Sequence, residues 1–239
     1  RTQDLEIRRR VGYVSEQPTL YEWMTVAEIG WFAAGFHGGA YLDEYRRITE
    51  QFHLPEGQKL KNLSKGMRAK VALSLALAND PDVLILDEPT SGLDPLVRRE
   101  FLESMVDRAA VGKTVFLSSH QINEVERVAD HVAILHRGKI AIVAPLEELK
   151  ANVHELTVTL GDGGQLPAEL PGEILRQQRR ARQWQLLIKG APDPAQYVRG
   201  QVGIEQVESR MPSLEEIFVA YVAPEQSDVT PARAEEEVT

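Results

Sequence analysis

The chain has 239 residues, with 27 Lys and Arg against 36 Asp and Glu, a net charge of −9 and no cysteine. At roughly 150 residues per domain this is one large domain or two unequal ones, enough to hold a core without staples. The composition excludes disulfide scaffolds, thiol catalysis and thiolate-bound metals, argues against a phosphate backbone as partner, and offers no apolar run near the ~18 residues of a membrane span.

The chain opens at Arg1 without an initiator methionine, and a charged run leads into Val11-Gly12-Tyr13-Val14. That opening creates the expectation of a fragment. Thr25 with Glu28 forms a capping-box pattern ahead of an apolar helix containing Ile29, Trp31, Phe32 and Phe36, which His37-Gly38-Gly39 ends. Asp43 to Phe52 repeats apolar residues once per turn. Ser64 caps a third helix, running to Asn79, that is apolar on most sides and therefore expected to be buried.

Val83 to Leu86 is a continuous apolar run, suited to a strand covered on both faces. Asp94-Pro95 opens a helix to about Ala110; Thr114–Leu117 is a strand, Ile122–Val128 a helix and Val132–Leu135 a strand. This alternation predicts a largely parallel sheet with helices packed on it. Arg137-Gly138-Lys139 then turns the chain back into Ile140–Val143.

Beyond Pro145, period-two alternation at Leu156, Val158 and Leu160, and again at Trp184, Leu186 and Ile188, predicts strands. A second capping box, Ser213 with Glu216, opens a helix bearing Leu214, Ile217, Phe218 and Tyr221. Residues 225–239 carry five acids against Arg233 alone and read as a disordered tail. Arg176, Arg179, Arg180 and Arg182 form a basic cluster that reads as a solvated hairpin face, with contact to anionic lipid as the second reading.

The segment from Leu84 to Asp94 is the most informative. Asp87 and Glu88 end an apolar strand, so both carboxylates stand at the carboxyl edge of a parallel sheet, where ligands of such folds bind. An acid there suits Mg²⁺, and its neighbour suits the activation of a water. A helix start at Ser64, with its free amides and dipole, suits an anion.

Over most of residues 10–145 the sequence resembles an ATP-binding-cassette (ABC) ATPase. Val83–Asp87 resembles the Walker B motif and Glu88 the glutamate that follows it. Ser91, Gly92, Leu93 and Asp94 resemble the D-loop. Leu63 with Ser64, Lys65, Gly66 and Met67 stands where the signature lies, in the Leu-Ser-Lys-Gly-Met form similar to that of ABC-2-type exporters. Gln17 resembles the Q-loop glutamine, and His120, after Ser118 and Ser119, the switch histidine.

The resemblance implies an α/β fold: a partial nucleotide-binding domain with a parallel-sheet core and a helical subdomain in residues 1–145, a small α+β accessory domain in 146–222, and the tail in 223–239. It implies ATP and Mg²⁺ as ligands, with Asp87 and Gln17 on the metal, Glu88 and His120 at the hydrolysed phosphate, and Ser64 to Met67 on ATP held by a second subunit. It also implies a separate integral-membrane permease, a place on the cytoplasmic face of the membrane and no nucleic acid. Tyr13, Leu20, Tyr21 and Trp23 are either core or a face for the permease.

No Gly-x-x-x-x-Gly-Lys-Ser/Thr loop is present. Gly112-Lys113-Thr114 ends without the leading glycine, since Asp107 holds that position, and it precedes a strand. Residues 1–239 alone are therefore expected to be inactive toward ATP. Two rival readings are a degenerate subunit that only regulates or dimerises, and a soluble ABC ATPase acting on ribosomes or DNA.

Overall fold

Three short apolar runs, Val11–Val14 (β1), Val83–Asp87 (β2) and Thr114–Ser118 (β3), pair in parallel in the order β1-β2-β3. The computed structural model describes residues 2–222. The backbone divides into two compact units after Glu124, ahead of the 145/146 boundary expected from the sequence. The acidic tail lies outside the described residues.

Helices of the first unit are α1 (Thr2–Arg10), α2 (Val26–His37), α3 (Tyr41–Gln51), α4 (Lys65–Leu77) and α5 (Pro95–Ala110), with a short 3₁₀ turn at Leu60–Asn62. Each predicted cap forms. Thr25 and Glu28 exchange their capping-box bonds, Ser64 accepts from the Met67 amide, and Asp94 accepts from the amides of Leu96 and Val97. Capping satisfies amides that a helix start otherwise leaves open.

Two cores share α4. On one side Val71 packs with Val26, Ile29, Tyr41, Tyr45, Leu60 and Leu63. On the other, Ala72, Leu73 and Leu77 pack with Val14, Leu84 and Leu86 of the sheet and Phe101 and Met105 of α5. This double duty explains why α4 is apolar on most sides. The contact of α2 with α3 depends on Gly30, where a Cβ would stand 2.1 Å from the Tyr45 ring. Tyr45 also donates its hydroxyl to the Val26 carbonyl at 2.8 Å.

Two expectations need correction. β2 is covered fully on one face only: Leu84 and Leu86 are buried, whereas Val83 and Ile85 are half-buried. Ile85 sits in register between Tyr13 and Phe116, both exposed, and among the described residues nothing buries that row. The strand at Val132–Leu135 is also not a fourth parallel strand. As His131–His136 (β4) it pairs antiparallel with Lys139–Pro145 (β5) through a two-residue turn, Arg137-Gly138, both at positive φ. That turn geometry matches the twist of a tight hairpin, so the local pairing forms.

In the second unit, Val153–Leu160 (β6), Glu173–Arg180 (β7), Gln183–Lys189 (β8) and Ile204–Arg210 (β9) make an antiparallel sheet in the order β7-β8-β6-β9. Leu156, Val158 and Leu160 pack with Leu186 and Ile188, and with Ala195 and Val198 of α8 (Pro194–Arg199). Ile122–Val128 (α6), Leu146–Ala151 (α7) and Leu214–Val222 (α9) are the remaining helices among the described residues, the last opened by the predicted Ser213–Glu216 box. The basic cluster is exposed on β7 and the turn after it; Arg179 lies 5.5 Å over the Trp184 ring and Arg182 pairs with Asp162. Among the described residues no helix is long and apolar enough to cross a membrane.

Candidate functional site

Because β1, β2 and β3 run in parallel, their carboxyl ends share one edge, and the residues just past them are gathered there. Gln17 follows β1, Asp87 and Glu88 close β2, and His120 follows β3. The sheet brings Glu88 and His120 together: Glu88 Oε2 lies 2.7 Å from His120 Nδ1. The glutamate is largely covered and the imidazole mostly exposed, their side chains retaining 22% and 69% of their accessible surface.

Glu88 holds an unusual backbone, φ +46°. A non-glycine residue pays conformational energy there and keeps the geometry only where neighbours enforce it. The enforcement comes from β3: the Glu88 amide donates to the Ser118 carbonyl at 3.1 Å and lies 3.2 Å from its hydroxyl. Ser118 Oγ also donates to Asp87 Oδ1 at 2.7 Å. Ser118 thus holds the Asp87 carboxylate and the Glu88 backbone, a role no motif in the sequence signalled. Gln17 is exposed, and the contact from its segment to the carboxylate loop comes from Glu16, whose Oε1 is 3.4 Å from Ser91 Oγ.

Residues Ser64 to Met67 form the start of α4, with Ser64 and Lys65 exposed and Gly66 buried. The Ser64 hydroxyl accepts the Met67 amide at 3.2 Å, which leaves its proton free to donate outward. Gly66 has a packing reason for its lack of a side chain. A Cβ there would meet Val97 Cγ1 at 3.1 Å, so its bareness lets α4 pack on the first turn of α5. Lys65 reaches the Ser91–Asp94 segment of its own chain, its Nζ standing 2.5 Å from where a Cβ on Gly92 would be. Gly92 has φ +66°, Leu93 is buried, and Asp94 caps α5.

Lys113, the nearest approach to a phosphate-loop lysine, is engaged elsewhere. Its ammonium contacts Asp80 Oδ2 at 3.1 Å and Asp82 Oδ1 at 3.3 Å, and Gly112 at φ +81° makes the turn from α5 into β3. The apolar residues in and after β1 separate cleanly. Leu20 is core, Tyr13 lies on the open row of the sheet, and Tyr21 and Trp23 are exposed. Tyr21 meets Phe32 edge-on at 5.4 Å, Phe32 meets Phe36 at 5.3 Å, and Trp31 and Phe36 are 70% and 77% exposed.

The parallel sheet, its loaded carboxyl edge and the capped helix beside it define an α/β nucleotide-binding domain. The chain belongs to the ATP-binding proteins of ABC transporters. Residues 2–91 match the family model described as ABC transporter. An uncharacterized ABC transporter ATP-binding protein of Nostoc is 40% identical over 153 residues, covering 61% of this chain and 46% of that protein. The fluoroquinolones export ATP-binding protein of Mycobacterium tuberculosis is 32% identical over 216 residues, covering 88% of this chain and 67% of that one. A solved structure of an ATP-binding subunit of an ABC transporter superposes with a TM-score of 0.56 at 32% identity, over 63% of this chain and 65% of that one. The chain spans about half the length of the first curated relatives it matches, 46% and 47%.

Proposed function

We propose that this chain carries the hydrolytic and cross-subunit parts of an ATP-hydrolysing subunit that energises an ABC-2-type exporter. The observation that supports this most is the Glu88–His120 pair at 2.7 Å on the carboxyl edge of the sheet. Glu88 orients the attacking water and accepts its proton. With Nδ1 of His120 committed to Glu88, Nε2 is the ring nitrogen left to meet a terminal phosphate.

Asp87 and Gln17 offer the hard oxygen donors that Mg²⁺ takes, and they fit that ion. These two residues would hold the ion, which would supply charge neutralisation at the phosphates. Ser64, Lys65, Gly66 and Met67 present a hydroxyl proton, an ammonium and helix-start amides to the ATP of a second subunit. Ser91 to Asp94 carries the state of one site to the other. The exposed aromatic ridge of Tyr21, Trp23, Trp31 and Phe36 is where a separate membrane permease docks, at the cytoplasmic face. The export direction follows the name of the Mycobacterium tuberculosis relative and the Leu-Ser-Lys-Gly-Met signature.

Residues 1–239 contain no Gly-x-x-x-x-Gly-Lys-Ser/Thr run and commit Lys113 to Asp80 and Asp82. By themselves they are expected to bind Mg-ATP weakly or not at all in titration calorimetry; a submicromolar Kd would overturn that. The hydrolytic reading is tested with Glu88→Gln in the assembled transporter, which should retain ATP and fail to turn it over. Wild-type turnover in that variant would sink it.

A further inference from the structure

One buried carboxylate holds the two segments that carry Glu88 and His120. Glu124, at the start of the helix Ile122–Val128 (α6), is 8% exposed. Its Oε2 accepts the hydroxyl of Thr90 at 2.7 Å, and its Oε1 lies 2.9 Å from Nε of Arg98. Thr90 is two residues past Glu88 and 1% exposed. Arg98, at the start of α5, donates Nη2–H to the Leu93 carbonyl at 3.2 Å. The loop from Glu88 to Asp94 is therefore tied at Thr90 directly, and at Leu93 through Arg98, to a residue four positions past His120.

Burying a carboxylate is costly unless a cation and hydrogen bonding compensate. Here the loop supplies one hydrogen bond, from Thr90, and the helix it opens supplies the cation, Arg98, facing Oε1 as an ion pair without hydrogen-bond geometry. The loop's own amide bonds, Ser91 to the Glu88 carbonyl and Leu93 to that of Thr90, close two turns but do not fix where those turns stand. The strained backbone of Glu88 needs that fixing.

We propose that Glu124 is a positioning residue for the hydrolytic pair: by clasping Thr90 and Arg98 it sets the Glu88–His120 distance and the placement of the Ser91–Asp94 segment. The proposal rests on the hydrolytic reading of that pair. Glu124→Ala removes both grips. Glu124→Gln keeps an acceptor for Thr90 and loses the charge facing Arg98. Thr90→Val removes one hydroxyl at nearly constant volume.

The first experiment is hydrogen exchange on the full chain. The Ser91 and Leu93 amides are expected to exchange about tenfold faster in Glu124→Ala, and to a lesser degree in the other two variants, while β2 and α4 keep their protection. Unchanged exchange in the loop, or acceleration throughout the first unit, overturns the proposal whatever the fate of hydrolysis. The second is ATPase kinetics on the native assembly. There Glu124→Ala should lower kcat about tenfold with KM for ATP within about threefold, and Glu124→Gln should recover part of the loss. A loss carried by KM alone, or none, overturns it. Glu88→Gln run in parallel separates the two ideas: hydrolysis indifferent to that change defeats the hydrolytic reading, and loop exchange then decides whether Glu124 holds the loop.

Discussion

The two units are built from similar strands and arrange them in opposite ways. In the first, parallel β1, β2 and β3 end at one edge, so Asp87, Glu88, Ser118 and His120, far apart in the chain, meet within hydrogen-bonding distance. In the antiparallel sheet of the second, neighbouring strands end at opposite edges. Its polar residues line the outer strands β7 and β9, and its apolar ones fill β6 and β8. Strand direction decides whether polar side chains converge on one place or spread along a surface, which is why, among the described residues, the convergent cluster lies in the first unit.

That contrast can be broken at either end. The largest effect is expected at the convergent edge: Glu88→Gln should lower hydrolysis by the transporter about 10²–10⁴-fold, with nucleotide still bound, in a steady-state assay. In the second unit the leverage lies in burial. Leu156, 0% exposed in the middle of β6, should cost about 2–5 kcal/mol when cut to alanine, read as lost exchange protection in β6 and β8. Gly30→Ala tests packing in the first unit. Its methyl would collide with the Tyr45 ring, and chemical denaturation should report a loss of about 1–3 kcal/mol.

The smallest effect is electrostatic. The Glu216 carboxyl is held at about 2 against a usual 4.5, chiefly by the hydrogen bond from Arg210, with burial opposing and the Ser213 backbone assisting. A carboxyl whose pKa is lower folded than unfolded contributes its full stability above about 4.5 and loses it as pH falls toward 2. The pair is partly exposed, so solvent screening keeps the term to about 1 kcal/mol or less. Acid unfolding of the second unit should be slightly less steep in Glu216→Gln.

What was legible in the sequence was local. The Thr25–Glu28 and Ser213–Glu216 boxes, the Asp94 cap ahead of Pro95 and the Arg137-Gly138 turn are all decided within four residues, and each forms. Edge strands escaped because they bury little: β7 has no alternation, and β9 buries only Val207. Asp193 followed by Pro194 was a usable sign of α8, since the Asp193 side chain accepts from the Gln196 amide. Nothing local marked Glu124, one of two acids on its helix, as the buried one.

The sequence by itself determined the order of the ABC-like segments, the caps that start their helices and the strands whose apolar runs must be hidden. Only the tertiary structure decided that Glu88 meets His120 across 32 positions, that Thr90 meets Glu124 across 34, and that Gly66 serves contact with Val97. It also decided that Leu20 is core while Tyr13, Tyr21 and Trp23 face outward. A cap is settled by backbone groups already adjacent in the chain. A contact over some thirty residues exists only once strand order and direction have closed the intervening loop, and no short stretch of sequence encodes that choice.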